Sequence, residues 1–248
     1  MGTEGIEPWM ARTKLLLGEE KLSKIINSHV LVVGLGGVGG IAAEMICRAG
    51  VKKMTLVDAD IVEPTNKNRQ LPALSSTNGM YKAEVLAKRF TDINPSIELK
   101  IITEYITKEN TDALLDAEKY DYIVDAIDTL GPKVNLILKS RERRIPLVSS
   151  MGAGGRLDPS RIKIDDIKNS RNCHLAKEVR KKLKKYRIYS GIKVVYSPEL
   201  PDKNRLIHTP DDMKKKSVIG TISYMPAMFG CTLASVVIRD LAEKRLKN

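Results

Sequence analysis

The run Val30-Leu31-Val32-Val33-Gly34-Leu35-Gly36-Gly37-Val38-Gly39, followed at a distance by Asp58, decides how this chain is read. Val30 to Val33 is a short, apolar and mostly β-branched run, which predicts a buried strand. The spacing of Ile41, Met45 and Ile46, up to Gly50, predicts a helix directly after the glycines. A strand, a Gly-x-Gly-x-x-Gly turn and a helix together make an anion site. Gly34, Gly36, Gly37 and Gly39 allow a tight turn and let a phosphate approach backbone N–H groups at the helix N-terminus, where the helix dipole favours negative charge. Asp58 closes a second strand, Met54 to Val57, and is placed to accept hydrogen bonds from ribose hydroxyls. A glycine-rich packing turn would explain the glycines but not Asp58.

Working outward, strand and helix alternate. A helix is expected from about Gly79 to Asp92, strands at Leu99 to Ile102 and Tyr122 to Asp125, a helix over Val134 to Arg143, and a strand at Pro146 to Ser149. Short connections between such units imply an α/β fold, a Rossmann-like, doubly wound and mainly parallel sheet with helices on both faces. After Ser150 the pattern changes. Gly152-Ala153-Gly154-Gly155 and Asp158-Pro159 read as loop, Cys173 to Tyr186 as a basic amphipathic helix burying Leu175, Val179 and Leu183, and Val194 to Ser197 as a late strand. Asp202 to Lys216 reads as a polar loop. Ser217 to Ile238 has no charged residue, but its Gly, Ser, Thr and Pro content argues for a buried C-terminal helix rather than a membrane span.

The chain has 248 residues, enough for a well-filled core, and its 42 Lys+Arg against 30 Asp+Glu give a formal charge of +12. The excess is uneven: Arg161 to Arg187 holds eleven Lys or Arg against three Asp or Glu, and Lys214-Lys215-Lys216 forms a smaller cluster. An anionic partner is implied, although lysine-rich surfaces also serve solubility alone. The basic helix, with Arg180, Lys181, Lys182, Lys184 and Lys185, offers phosphate neutralisation; the few aromatics disfavour a platform for stacking bases. Cys47, Cys173 and Cys231 include no C-x-x-C pair, so neither a four-ligand zinc site nor a disulfide framework is encoded. Cys47 and Cys231 read as core. Cys173 and His174 are neighbours on a helix, about 100° apart, and do not make a nucleophilic pair. No basic start followed by an apolar stretch opens the chain, so a cytoplasmic protein is the default.

A dinucleotide-dependent oxidoreductase is the usual owner of the glycine fingerprint, and the residues after Asp58 argue against it. Asp58-Ala59-Asp60, Asn66-Lys67-Asn68-Arg69-Gln70 and Lys82 gather carboxylates, amides and cations, which suit a triphosphate, and Asp128 can supply the carboxylate for Mg2+. With these motifs and Asp125-Ala126-Ile127-Asp128, the sequence resembles the ubiquitin-activating-enzyme-like adenylyltransferases, the superfamily of sulfur-carrier activators. It departs from those activators in lacking C-x-x-C pairs. It is more similar to the bacterial tRNA threonylcarbamoyladenosine dehydratases, through the N-x-N-R-Q form, Ile145-Pro146-Leu147-Val148, the Gly152 to Pro159 loop, the basic helix, and Val195-Tyr196-Ser197 with Glu199.

The resemblance implies ATP bound by Gly34, Gly36, Gly37, Gly39, Asp58, Asp60, Asn66, Asn68, Arg69, Lys82 and Asp128, with Asp128 near Mg2+. Arg69, Lys82, Asp128 and Arg12 are the implied catalytic residues, Arg12 reaching the partner subunit's phosphates in a homodimer. The implied reaction is ATP-dependent cyclisation of threonylcarbamoyladenosine in tRNA through a carboxyl adenylate, with the modified base near Gly152 to Gly155. The implied organisation is an N-terminal helical segment (1–28), a Rossmann-like ATP-binding core (29–155) and a basic C-terminal extension packed on it (156–248), as one compact domain. Two other readings stay open: an adenylyltransferase for a ubiquitin-like or sulfur-carrier protein, with that carrier or a sulfur-relay protein as partner, and an NAD-binding Rossmann protein.

Overall fold

The computed structural model describes residues 6–201, 206–208 and 217–243. Two helices, α1 (Ala11–Leu17) and α2 (Glu19–Ile26), are separated by Gly18 at φ +79° and lead into β1 (His29–Val33). Then follow α3 (Gly39–Arg48), β2 (Lys53–Val57), α4 (Lys82–Ile93), β3 (Glu98–Ile102), α5 (Thr111–Asp116), β4 (Tyr122–Asp125), α6 (Leu130–Glu142) and β5 (Leu147–Ser150). The last third contributes β6 (Lys163–Asp166), α7 (His174–Lys184), β7 (Lys193–Tyr196), β8 (Leu206–His208), β9 (Ser217–Ile219) and α8 (Tyr224–Ala242).

Seven strands form one sheet in the order β3-β2-β1-β4-β5-β7-β6, parallel except for β6, which runs antiparallel to β7. The expected doubly wound, mainly parallel architecture is therefore present. The stretch after residue 155 extends the sheet itself, with β7 hydrogen-bonded to β5. Strand order reverses between β1 and β4, so a crevice opens at their carboxyl ends. Strand β1 is buried along its whole length and covered on both sides. Val30 and Val32 meet Ile46, Phe90 and Phe229 of α3, α4 and α8, while Leu31 and Val33 meet Leu115 and Leu136 of α5 and α6. A second cluster joins α6, α7 and β7 through Ile137, Val179, Leu183 and Val194.

Four sequence expectations shift. Helix α4 starts at Lys82 rather than near Gly79, because Tyr81 pairs with Ile61 in an isolated antiparallel bridge and the N–H groups of Gly79 and Val62 are engaged across the same turn. Within the expected polar loop, Leu206–His208 forms an antiparallel pair with Ser217–Ile219; Lys214, Lys215 and Lys216 lie outside the described residues. The uncharged stretch from Ser217 is thus first a strand, and the helix begins only at Tyr224. Helix α8 has the length and composition to cross a membrane, but Met225, Phe229, Leu233, Val236 and Val237 are buried in the core. Gly230 permits its close approach to α3: a Cβ there would lie 2.5 Å from the Val38 carbonyl oxygen. Cys231, expected in the core, lies exposed on the outer side of α8.

Candidate active site

The glycine turn lies at the carboxyl end of β1, between β2 and β4, and most of its glycines are required by close packing. Gly34 has φ +88°, and a Cβ on it would meet the Ala126 carbonyl oxygen at 2.8 Å. A Cβ on Gly39 would sit 1.8 Å from the Gly34 carbonyl oxygen, and one on Gly37 would meet Pro226 and the Arg69 carbonyl within 3.1 Å. Gly36 is different, since its nearest neighbour would be the Gln70 amide at 3.8 Å. Packing inside the chain does not demand glycine there, whereas close approach of a phosphate does. Helix α3 starts at Gly39 and aims its N-terminus into the same crevice.

Asp58 lies just beyond β2 with both carboxylate oxygens on backbone N–H groups, Leu35 at 2.5 Å and Asp60 at 2.8 Å. One carboxylate thereby ties the glycine turn to the loop that follows β2. Burial pushes the Asp58 carboxyl above its usual range, against the opposing pull of the Leu35 and Asp60 amides. Asp60 accepts from Lys82 Nζ at 2.9 Å and from the Tyr105 hydroxyl at 3.1 Å. Lys82 is the first residue of α4, and its side chain is buried.

The Asn66 to Gln70 segment folds over the glycine turn. Asn66 is buried and accepts from Glu63 N at 3.2 Å, which organises the segment's own turn. Asn68 donates to the Thr221 carbonyl at 3.0 Å, linking the segment to the approach of α8. The Arg69 guanidinium donates to Thr65 O and Asn68 Oδ1, at 3.1 and 2.7 Å. Gln70 Oε1 is buried without a hydrogen-bond partner among the described residues. Asp128 is exposed three residues beyond the end of β4.

Among the described residues, no three His, Cys, Asp or Glu gather to hold a metal ion. An accessible carboxylate such as Asp128 at the crevice suits magnesium that arrives on nucleotide phosphates and keeps water ligands, not a metal caged by protein alone.

Arg12 is not brought to this site by its own chain. Helix α1 begins beside Met10, which packs on Gly50 beyond the C-terminal end of α3, while the glycine turn is at the other end of that helix. Arg12 is exposed, as are Leu15 (88%) and Leu16 (83%).

The second half of the crevice is the Gly152 to Gly155 loop after β5. Gly154 and Gly155 pack against Ile219, and Gly155 N donates to the Gly220 carbonyl at 2.8 Å. Glu199 accepts from the N–H groups of Leu157 and Asp158. Cys173 is buried at the N-terminus of α7, its sulfur facing Gly152. Along α7, Lys181, Lys182, Lys184 and Lys185 are exposed. Arg180 is turned inward onto the Ser170 hydroxyl and carbonyl and the Ile167 carbonyl, so it anchors the helix instead of extending the lysine surface.

The sequence profile of the ThiF family matches residues 10–248. The chain belongs to the ThiF family. This ThiF-family chain is 37% identical over 249 residues to the tRNA threonylcarbamoyladenosine dehydratase of Bacillus subtilis (strain 168), covering 96% of the chain and 98% of the relative. It is also similar to the crystal structure of E. coli tRNA N6-threonylcarbamoyladenosine dehydratase, TcdA, in complex with ATP, with a TM-score of 0.86, 33% identity and 96% of each chain covered. The AMP complex of that enzyme gives the same TM-score with 97% of each chain covered.

Three residues that shape this crevice in the ThiF-family chain carry little or no signal in the sequence. Tyr105 offers nothing beyond being an aromatic residue after a strand. Lys133 pairs with Asp125 at 2.7 Å, both side chains fully buried, and the turn that carries Asp128 begins at this pair. Arg156 is buried under the glycine-rich loop, donating to the carbonyls of Gly154, Asn172 and Ser197, and so ties that loop to the starts of α7 and of the segment after β7. The Gly-Ala-Gly-Gly motif that precedes Arg156 is the only sequence pointer to it.

Proposed function

We propose that this chain is an ATP-dependent tRNA threonylcarbamoyladenosine dehydratase. One observation carries the reading. Asp58 binds the backbone of the glycine turn and of the loop that carries Asp60, Lys82 pairs with Asp60, and Arg69 packs beside Gly37, in a chain that matches an ATP-bound dehydratase over 96% of its length.

The threonine carboxylate of the modified adenosine attacks the α-phosphorus of ATP. A carboxyl–phosphorus bond forms, the bond to the β-phosphate oxygen breaks, and pyrophosphate leaves. The urea group of the same substituent then attacks the acyl carbon and displaces AMP, losing one proton and closing the ring. Water is removed overall at the expense of one ATP. No protein nucleophile is needed, because the second step is intramolecular and depends on positioning. This agrees with a buried Cys173 and with Cys47, whose thiol burial pushes up to about 12.

Asp58 holds the ribose, and the open Gly36 backbone admits the phosphates to the α3 N-terminus. Arg69 and Lys82 neutralise charge that develops on the phosphates, each moving from its present partners onto the nucleotide. Asp128 would hold magnesium, which when bound offsets phosphate charge. Arg12 acts across a homodimer, consistent with the exposed Leu15 and Leu16 beside it. The modified base sits near Gly152 to Gly155, and the tRNA phosphates lie along Lys181, Lys182, Lys184 and Lys185, with a cytoplasmic location.

Exchange of radiolabelled pyrophosphate into ATP tests the proposal. It is expected only when threonylcarbamoylated tRNA is present, with AMP released and the base cyclised. Exchange driven by a carrier protein ending in Gly-Gly, or tight NAD binding with hydride transfer and no exchange, would replace it.

A further inference from the structure

Asp125, Lys133 and Ser149 form a closed, fully buried triangle that the adenylation chemistry does not use. Asp125 is the last residue of β4, and its register partner on β5 is Ser149. Asp125 Oδ2 accepts from Lys133 Nζ at 2.7 Å and from Ser149 Oγ at 2.6 Å, while Lys133 Nζ also donates to Ser149 Oγ at 3.0 Å. All three residues are 0% exposed. Taking two charges this far from water costs free energy that apolar residues of the same size would not cost, so such a pair is poor evidence of stabilisation. What it supplies is geometry.

The other carboxylate oxygen shows where that geometry is spent. Asp125 Oδ1 accepts from Ile127 N at 3.1 Å, which hooks the chain into the turn Ala126-Ile127-Asp128. Ala126 N donates to the Val33 carbonyl at 2.9 Å, the Ala126 carbonyl faces Gly34, and its Cβ faces Gly39. One turn is therefore wedged against the glycine turn on one side and carries Asp128 on the other. Its position is set by a carboxylate whose orientation is fixed by Lys133 and Ser149.

We propose that Lys133 and Ser149 are positioning residues. Acting through Asp125, they hold residues 126–128 in the arrangement that seats the glycine turn and presents Asp128 to ATP. The inference rests on the reading of this crevice as an ATP site.

The test uses the full-length protein with Lys133→Met, Ser149→Ala and the charge-free double variant Asp125→Asn/Lys133→Met. Three quantities are measured: amide hydrogen exchange of residues 126–128, ATP affinity with and without magnesium, and kcat against KM for pyrophosphate exchange. Lys133→Met is expected to speed amide exchange at Ile127 and Asp128 at least about tenfold. It should lower kcat by about 10- to 100-fold, the scale of a small misplacement of catalytic groups, while tRNA affinity is unchanged. It should also weaken ATP binding more with magnesium than without. The double variant, which leaves no uncompensated buried charge, is expected to recover thermal stability but not kcat; it and Ser149→Ala carry the test if Lys133→Met does not fold. The inference is overturned if the double variant regains kcat and amide protection along with stability, or if kcat, protection and the magnesium effect stay within twofold of the parent in all variants. Failure of the functional reading is distinguishable. The parent would then show no tRNA-dependent exchange, while the hydrogen-exchange result would still report whether the triangle holds the turn.

Discussion

Lys82 Nζ lies 2.9 Å from Asp60 Oδ2, with the lysine side chain 5% exposed and the aspartate side chain 53% exposed. On the proposed function, this buried ammonium, held by a solvent-facing carboxylate, exchanges that carboxylate for the phosphates of ATP. Lys82→Ala is expected to lower pyrophosphate exchange by about 100- to 1,000-fold, the scale seen when one donor to a developing anion is removed. tRNA affinity, measured by filter binding, should not change. Equal loss of both would show that Lys82 supports the fold and not the phosphates.

If Asp58 holds the ribose as proposed, its carboxyl gives ATP binding a pH signature. Burial raises its pKa, so the carboxylate becomes protonated at a higher pH than an ordinary aspartate near 4. The protonated form accepts ribose hydroxyls poorly, so ATP affinity should fall on acidification through a limb above that value. The stability sign is opposite. A carboxyl whose pKa is raised by folding contributes stability below its unfolded pKa, and that contribution is lost as pH rises through the folded pKa. Asp58→Asn should therefore bind ATP more weakly at neutral pH and lack the acid limb; because its amide offers one acceptor oxygen to the Leu35 and Asp60 N–H groups, it should also melt lower than the parent, with a melting temperature that no longer carries the Asp58 titration. Fluorescent-nucleotide titrations and melting curves from pH 4 to 8 separate the two effects. An unchanged acid limb in Asp58→Asn would assign it to another group.

Much of this site is legible in the sequence because its signals are local. The glycine turn and Asp58 sit in a strand–turn–helix sequence whose geometry follows from residue type, and the structure places them as that pattern requires. What is not legible depends on contacts between distant segments. Lys133 stands just before the helix expected from Val134 and carries no signal of its own, and only the β4–β5 register brings Ser149 and Asp125 around it. Arg180 stands among lysines and reads as one of them, yet a helix positions an arginine four residues from Ala176 closer to the buried face. Cys231 reads as core because its stretch carries no charged residue, but one helix can bury only part of its circumference.

The inward turn of Arg180 divides the basic helix into anchor and surface. Reversing Lys181, Lys182 and Lys185 to Glu should weaken tRNA binding and flatten its salt dependence. The slope of log affinity against log salt should fall by roughly 0.7 to 0.9 for each phosphate no longer neutralised, while ATP binding is retained. Arg180→Ala should instead lower the melting temperature by removing the bonds to Ser170 and Ile167, with the salt slope of the folded fraction unchanged. A reduced slope in Arg180→Ala would return that residue to the RNA surface.

If Arg12 serves a partner's phosphates, two dead variants should rescue each other. Arg12→Ala and Lys82→Ala homodimers each lack one essential cation in both sites. A mixed dimer has one site with Lys82 from one protomer and Arg12 from the other, and one site with neither. Random mixing of equal amounts makes half the dimers mixed, with one of two sites intact, so about a quarter of parental exchange activity should return in a twofold-symmetric assembly. Leu15→Glu/Leu16→Glu, which places charge on the exposed apolar face of α1, should prevent the rescue and shift the sedimentation coefficient to that of a monomer. Rescue that persists in a protein sedimenting as a monomer, or no rescue between variants that still form dimers, would place Arg12 outside the catalytic set.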